Sequence, residues 1–519
     1  MQVPNTNPSP FAVIDIGTNA VRMDIAQMDD KSGFRKLESA QQAVMLGKDT
    51  FTRGTIENAN LTECINALNS FRRVLDEYAV DMAERVRVVA TSAVREAGNR
   101  DIFLDRVETA TGFRVQVLEE AEVNRYAYLS VQPFFAKGRL AGRNPTLLLE
   151  VGAGSTELLI FRQGRVAFSY SYRLGSLRMR GMLEGIGATS DQFREYVANQ
   201  TQRIIEHFRR QFPDEKSVPQ LLAAGGDIRF AASLIKKDRA IGDPDKIPIG
   251  ALGRLADQFI GLSADDIVRD THLPYGEAEL LGPALLVYAG VAKSLGAKHV
   301  LVTSRTMRDG IFMEMAAGNA WSPAYRQQIV YSALEIGGKY HFDSRHAQQV
   351  ASFTDSLFDT LQERHRLSAR YKLILNVAAL LHDSGLFVSN RNHHKHSLYL
   401  ILNSDLFGLG SRHILLAALV ARYHRRALPE PDHEGYRDLP REERLAVSKM
   451  AALLRIADAL DRRQEQHLSR AVFAVDNDTL NIGIRRVSDI GVEQMALKKK
   501  SDLFEQIFGM RATLTRTTD

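Results

Sequence analysis

Two apolar runs in the first half of the chain break in the same way. Phe11-Ala12-Val13-Ile14 leads into Asp15-Ile16-Gly17-Thr18-Asn19, and Thr146-Leu147-Leu148-Leu149 leads into Glu150-Val151-Gly152-Ala153-Gly154-Ser155-Thr156-Glu157. A short apolar run that stops at glycine and hydroxyl residues predicts a buried strand entering a tight turn. Each run also carries a carboxylate just before its turn. Further strands are predicted over Arg87–Thr91 and Arg114–Leu118, over Gln220–Asp227, which runs into glycines, and over His299–Arg305, which has a polar exit, with helical stretches over residues 92–106 and 119–131. Strands alternating with helices predict α/β layers.

The texture changes after Trp321-Ser322-Pro323. From Ala324 to about Leu468, apolar residues recur at three- and four-residue spacing, as in Val350, Phe353, Leu357 and Leu361, which predicts helices. Leu428–Gly435 reads as a loop. Strand-like alternation returns after Ala471, in Leu480-Asn481-Ile482-Gly483-Ile484. With a linker at Lys137–Pro145, the expected domains are residues 1–135, 136–322, 323–470 and 471–519. The two matched runs are the only internal repeat.

A length of 519 residues exceeds what one hydrophobic core supports. Cys64 is the sole cysteine, so no internal disulfide can form, which suits a reducing cytoplasm. The start, Met1 to Pro10, lacks the basic and apolar regions of a signal peptide, and no apolar run is long enough to span a bilayer. Net charge is +5, a mild excess that permits an anionic ligand. Neither a specific nucleic acid nor a membrane partner is expected. Two basic clusters, Arg203 with Arg209 and Arg210, and Lys498-Lys499-Lys500, read singly as solvated faces.

Four segments carry the chemistry of the first half: Asp15 to Arg22, Thr91 to Ala97, Gly152 to Leu158, and Gly225-Gly226-Asp227. Phosphate needs backbone donors that approach closely, and glycine permits that approach. The candidate phosphate-binding residues are Gly17, Thr18, Asn19, Arg22, Arg95, Gly152, Gly154, Ser155, Thr156, Gly225 and Gly226. Asp15, Glu150 and Glu157 are candidate ligands for a metal ion or water.

These segments resemble the exopolyphosphatase/guanosine pentaphosphate phosphohydrolase (Ppx/GppA) family. Its motifs run roughly Asp-Ile-Gly-Ser-Asn-Ser-x-Arg, Thr-x-Ala-x-Arg-x-Ala and Asp-Ile-Gly-Gly-Gly-Ser-Thr-Glu. The resemblance implies an actin/hexokinase-like (ASKHA) α/β fold of two domains around a cleft, then an all-α HD-like domain and a small α/β C-terminal segment. It implies a homodimer that removes terminal phosphate from polyphosphate or from guanosine pentaphosphate, with Mg²⁺ or Mn²⁺, and that has polyphosphate or a guanosine penta- or tetraphosphate as its binding partner. By position, Asp15 and Glu150 would sit with the metal, Glu157 would orient the attack, and Gly154, Ser155 and Arg95 would bind phosphate. The family's second-loop aspartate is Glu150 here. An ungapped match through Arg125-Tyr126-Ala127-Tyr128-Leu129 puts Val123 where the family has its catalytic base. Valine takes no proton, so Glu122 or Glu120 is the expected replacement; otherwise the site binds without turnover, as a sensor would.

In the second half, Leu380-Leu381-His382-Asp383 ends an apolar helical run, with His346 before it and Asp458 after it. This set resembles the metal ligands of HD-domain phosphohydrolases, and imidazole with carboxylate suits a divalent transition metal. Eleven of the 14 histidines fall between His341 and His467, a density that packing alone does not explain. In the family this region is part of a basic channel for polyphosphate, a role that would suit His394, Lys395, His396, Arg425 and Arg426, with His424 beside them. A metal-dependent centre at His382-Asp383 is the other reading of the same residues.

Overall fold

The computed structural model describes residues 9–516 except 30–32, 137, 139, 141–144, 185–186, 188, 212–217, 237–242, 319–321, 426, 469–470, 485–486 and 488. Trp321, Arg426 and most of the Lys137–Pro145 linker thus lie outside the described residues. The chain forms two compact units, Met1–Ser322 and Pro323–Asp519, meeting where the hydrophobic pattern changes.

The first unit contains two sheets of like design. One is built from β1 (Phe11–Ile16), β2 (Ala20–Asp29), β3 (Gly33–Ala43), β4 (Val86–Ala90) and β5 (Val115–Val117), in the order β3-β2-β1-β4-β5. The other is built from β6 (Thr146–Val151), β7 (Thr156–Arg162), β8 (Arg165–Tyr172), β9 (Gln220–Ala224), β10 (Asp245–Pro248) and β11 (His299–Val302), in the order β10-β11-β9-β6-β7-β8. In each, an antiparallel meander of three strands is followed by two parallel strands on the side of its first strand, and the second sheet adds antiparallel β10 at its edge. The strands β1 and β6 are therefore central, with helices available for both faces, and they read as continuous apolar runs. In both, the fifth residue is the partly exposed one near the C-terminal end: Asp15 in β1 and Glu150 in β6.

The sequence boundary at residue 136 does not divide these halves cleanly. The helix Met307–Ala316 follows the second sheet in the chain but packs on the first, where Ile311, Phe312 and Met315 bury against Val13, Val89 and Leu118. Such a return is invisible to periodicity, because its partners lie far away in sequence. It brings Arg308 beside Asp15.

The second unit is mostly helical. Its helix Arg441–Leu460 is buried along nearly its whole length from Ala446 onward, so it runs through the core. Helices Ser344–Thr360, Ala369–Leu381 and Ser411–Arg422 pack around it. The tail forms a small sheet of β12 (Val472–Asp476), β13 (Thr479–Ile484) and β14 (Arg511–Arg516). This tail is not a separate domain. Helices Gly491–Lys500 and Asp502–Phe508 lie against Arg441–Leu460, and Arg455 reaches Asp502 at 2.6 Å. Among the described residues, no helix is long and apolar enough to cross a membrane.

Candidate active site

The turns after β1 and β6 close with the same hydrogen bond. Gly17 N donates to Ala20 O at 3.0 Å, and Gly152 N donates to Ser155 O at 2.8 Å. Each turn joins a hairpin, and the register sets a charged pair across it: Asp15 opposite Arg22, and Glu150 opposite Glu157. Both turns line one cleft of about 480 Å³. Gly154 lies so close to the first half that an added Cβ would stand 2.2 Å from Ser92 Oγ. A side chain there would force the loops apart. The third glycine loop is held by Tyr288, whose hydroxyl donates to Ala224 O and accepts from Val151 N at 2.8 Å. At Gly225 the φ of +123° is one that only glycine adopts readily.

Fourteen of the sixteen residues that the sequence proposed for this site line the cleft: Asp15, Gly17, Thr18, Asn19, Arg22, Arg95, Glu120, Glu150, Gly152, Gly154, Ser155, Glu157, Gly225 and Gly226. Two do not. The Thr156 hydroxyl donates to Leu174 O at 2.5 Å within the protein. The Glu122 carboxylate turns back on its own helix, Glu120–Ala136, and accepts from Glu119 N at 3.0 Å and Gln116 Nε2 at 3.1 Å. That bond caps a backbone N–H at a helix start. Glu120 sits one turn before Val123 on the same helical face, and both line the cleft.

Sequence reasoning missed Arg308, Arg229 and the role of Asp227, which all line the cleft. Arg308 bonds Asp24 at 2.7 Å and lies 3.6 Å from Asp15 Oδ2. Arg229 carries a buried Nη1 without a hydrogen-bond partner. Its signal was its place two residues beyond Asp227. Arg308 gave none, because only folding brings it to the first sheet.

Burial dominates the electrostatics. It raises Asp15 above the usual carboxylate range against the pull of Arg308 and Arg22. Glu150 is raised by burial too, opposed by Arg229 and reinforced by Asp15. Glu157 is pushed up to about 7 by burial and by Glu150, although Ser155 Oγ donates to it at 2.5 Å. Asp227 also rises to about 7, through burial and then Glu277. Burial and the mutual repulsion of crowded carboxylates account for these rises. Asp15 Oδ1 is buried with no partner, and Asp15 and Glu150 offer oxygen alone, the donor set that suits Mg²⁺.

In the second unit, His346, His382 and Asp458 form one close group, and Asp383, His393 and His424 another. Burial and neighbouring His382 hold His424 well below the usual imidazole range. His394, His396 and Arg425 are only partly buried and belong to neither group. His394 falls to about 4 through burial and through the charges of His393, Arg425, Lys395 and Arg422. Arg203, Arg209 and Arg210 lie exposed on helix Ser190–Gln211, a solvated face as expected. Lys500 departs from that reading, for it pairs with Asp458.

Two like α/β halves, facing glycine turns, and carboxylates interleaved with arginines define a phosphate-handling cleft of the actin-like class. A family model described as the Ppx/GppA phosphatase family matches residues 24–318, and one described as Ppx/GppA phosphatase, domain III, matches residues 330–503. The chain is 24% identical over 488 residues to a guanosine-5'-triphosphate,3'-diphosphate pyrophosphatase of Aeromonas hydrophila, covering 92% of each chain. It is 22% identical over 484 residues to one of Aliivibrio fischeri, again covering 92% of each. Among solved structures, an exopolyphosphatase from Cytophaga hutchinsonii shares the fold, with a TM-score of 0.53 and 21% identity over 60% of this chain and 98% of that one. The chain belongs to the Ppx/GppA phosphatase family, a family of phosphoanhydride hydrolases.

Proposed function

We propose that the cleft releases terminal phosphate from inorganic polyphosphate. The observation that carries this reading is the facing of the two glycine turns, each with its carboxylate, across one cavity. Asp15 and Glu150 would hold Mg²⁺ or Mn²⁺. When bound, the ion would offset negative charge on the phosphates and neutralise the buried carboxylates. Backbone N–H groups of the turns, with Arg22, Arg95, Arg229 and Arg308, hold the phosphate oxygens. Glu157 and Glu120 orient a water for in-line attack on the terminal phosphorus. The water's proton passes to a carboxylate, the bond from phosphorus to the bridging oxygen breaks, and the shortened chain leaves as the anion. Glu157, at about 7, is matched to that proton transfer near neutral pH.

The second reading is release of the 5′-terminal phosphate of guanosine pentaphosphate. It is favoured by the names of the relatives that match along nearly their whole length. Phosphate release with Mg²⁺ and each substrate in turn separates the two readings by kcat/KM. Tight binding of both without release over hours would replace them with a sensor.

A further inference from the structure

The carbonyls of the second glycine turn are all taken from one side. Helix Ser176–Glu184 begins behind the turn, and its first amides take two of them. Ser176 N donates to Gly152 O at 3.0 Å, and Leu177 N donates to Ala153 O at 3.1 Å. The third is taken by a side chain, for Arg178 Nε donates to Gly154 O at 3.1 Å. In a planar trans peptide the N–H points away from the carbonyl of the same unit. The N–H groups of Ala153, Gly154 and Ser155 are thereby turned away from the helix, and all three residues line the cleft. The helix start fits closely against the turn: a Cβ at Gly175 would stand 2.2 Å from Ala153 O.

The same guanidinium reaches the other half of the unit. Arg178 Nη2 donates to both oxygens of Glu96, at 2.9 and 3.0 Å. Its Cζ lies 3.9 Å from the centre of the Phe51 ring, on helix Leu46–Arg53. The Arg178 and Glu96 side chains are only 18% and 21% exposed, so salt screens the pair weakly. Arg173 also donates to Glu96, at 2.6 Å, but it is exposed and solvent weakens that bond. Glu96 ends the short helix Ser92–Glu96, which carries Ser92 against Gly154 and Arg95 in the cleft lining. Neither Arg178 nor Glu96 lines the cleft itself.

We infer that Arg178 is a positioning residue for phosphate release. It fixes the Gly154–Ser155 peptide with its N–H toward the phosphate, and Glu96 holds Arg178 in place from the other half. Gly154 has no Cβ, so rotation of this peptide meets little steric resistance. Once its carbonyl is unpinned, the peptide can turn an oxygen, in place of a donor, toward the phosphate. That loss falls on the transition state, where negative charge is to be stabilised. Spanning Gly154 and both oxygens of Glu96 takes the planar fork of a guanidinium; an ammonium is a point charge that does not reach both. The inference rests on the cleft being where phosphate is held.

The test compares full-length variants with polyphosphate and Mg²⁺. Arg178→Met keeps a long side chain over Phe51 and loses the hydrogen bonds, and its kcat is expected to fall about 10²-fold. Arg178→Lys keeps the charge beside Glu96 but not the bond to Gly154, so it is expected to fall with the methionine variant. Glu96→Gln should lower kcat roughly threefold to tenfold in the wild-type chain and add nothing in the Arg178→Met chain, because the glutamate acts through the arginine. A lysine variant within about threefold of wild-type kcat overturns the setting of the turn, since charge alone then suffices. A Glu96→Gln defect of equal size in both chains overturns the coupling. Where the methionine variant does not fold, the lysine variant serves as the second chain. Calorimetric titration with polyphosphate separates this inference from the cleft reading. A wild type that neither binds nor cleaves ends both; equal binding and cleavage by wild type and Arg178→Lys end the role of Arg178 alone.

Discussion

The cleft and the histidine cluster are both gatherings of buried carboxylates, yet their electrostatics run in opposite directions. In the cleft, burial raises Asp15, Glu150, Glu157 and Asp227. In the helical unit, burial acts the same way on Asp383 and Asp458 but is outweighed. His382, His393 and His424 hold Asp383 well below its ordinary value, and Lys500 with His382 and His424 does the same for Asp458. In the first site Arg308, Arg22 and Arg229 oppose the rise without overcoming burial. The second brings its own charge and nitrogen donors. In the first site burial outweighs the facing charges; in the second the facing charges outweigh burial.

The hardest blow to the cleft is Glu157→Gln. Phosphate release with Mg²⁺ is expected to fall on the order of 10²–10⁴-fold. Equal rates in variant and wild type would sink the proposed chemistry. Next come the two neighbouring glutamates. Glu120→Gln should cost roughly tenfold or more in kcat, because its carboxylate faces the cleft. Glu122→Gln should leave kcat within about threefold and remove up to ~1 kcal/mol of stability, read by urea unfolding, as expected for a weakened helix cap. A reversed order would return the base to Glu122.

The rate should also rise with pH, about tenfold per unit, until Glu157 has lost its proton, and then level off. A profile flat from pH 5 to 8 rules Glu157 out as base. Smaller still is an effect on folding. Glu157 binds its proton more tightly folded than unfolded, so between pH ~4.5 and ~7 the folded state holds more protons. The stability of the metal-free protein therefore falls as pH rises through that window. In EDTA at pH 8, Glu157→Gln should be more stable than wild type by about 1–3 kcal/mol, with no gain at pH 4. The helical unit slopes the other way. Its lowered carboxylates contribute stability above pH ~4 that is lost as they are protonated below it.

Much was legible in the chain alone. The matched runs around Asp15 and Glu150 located the cleft because β1 and β6 are central strands, which must be apolar until the turn that exposes one carboxylate. The His382-Asp383 pair announced itself through histidine density. Local pattern also placed the change of texture at Trp321-Ser322-Pro323.

Other features depend on the direction of a side chain or on residues far apart in sequence. Periodicity does not say that Glu122 caps its helix while Glu120 faces the cleft, since about 100° of rotation per residue decides it. Nor does it bring Arg308 from a late helix to Asp15, or Lys500 from a run of three lysines to Asp458. The sequence by itself determined the two glycine turns, the carboxylates before them and the helical second half, because strand burial and helical spacing are local. Only the tertiary structure decided which charges meet, because that follows from how helices pack.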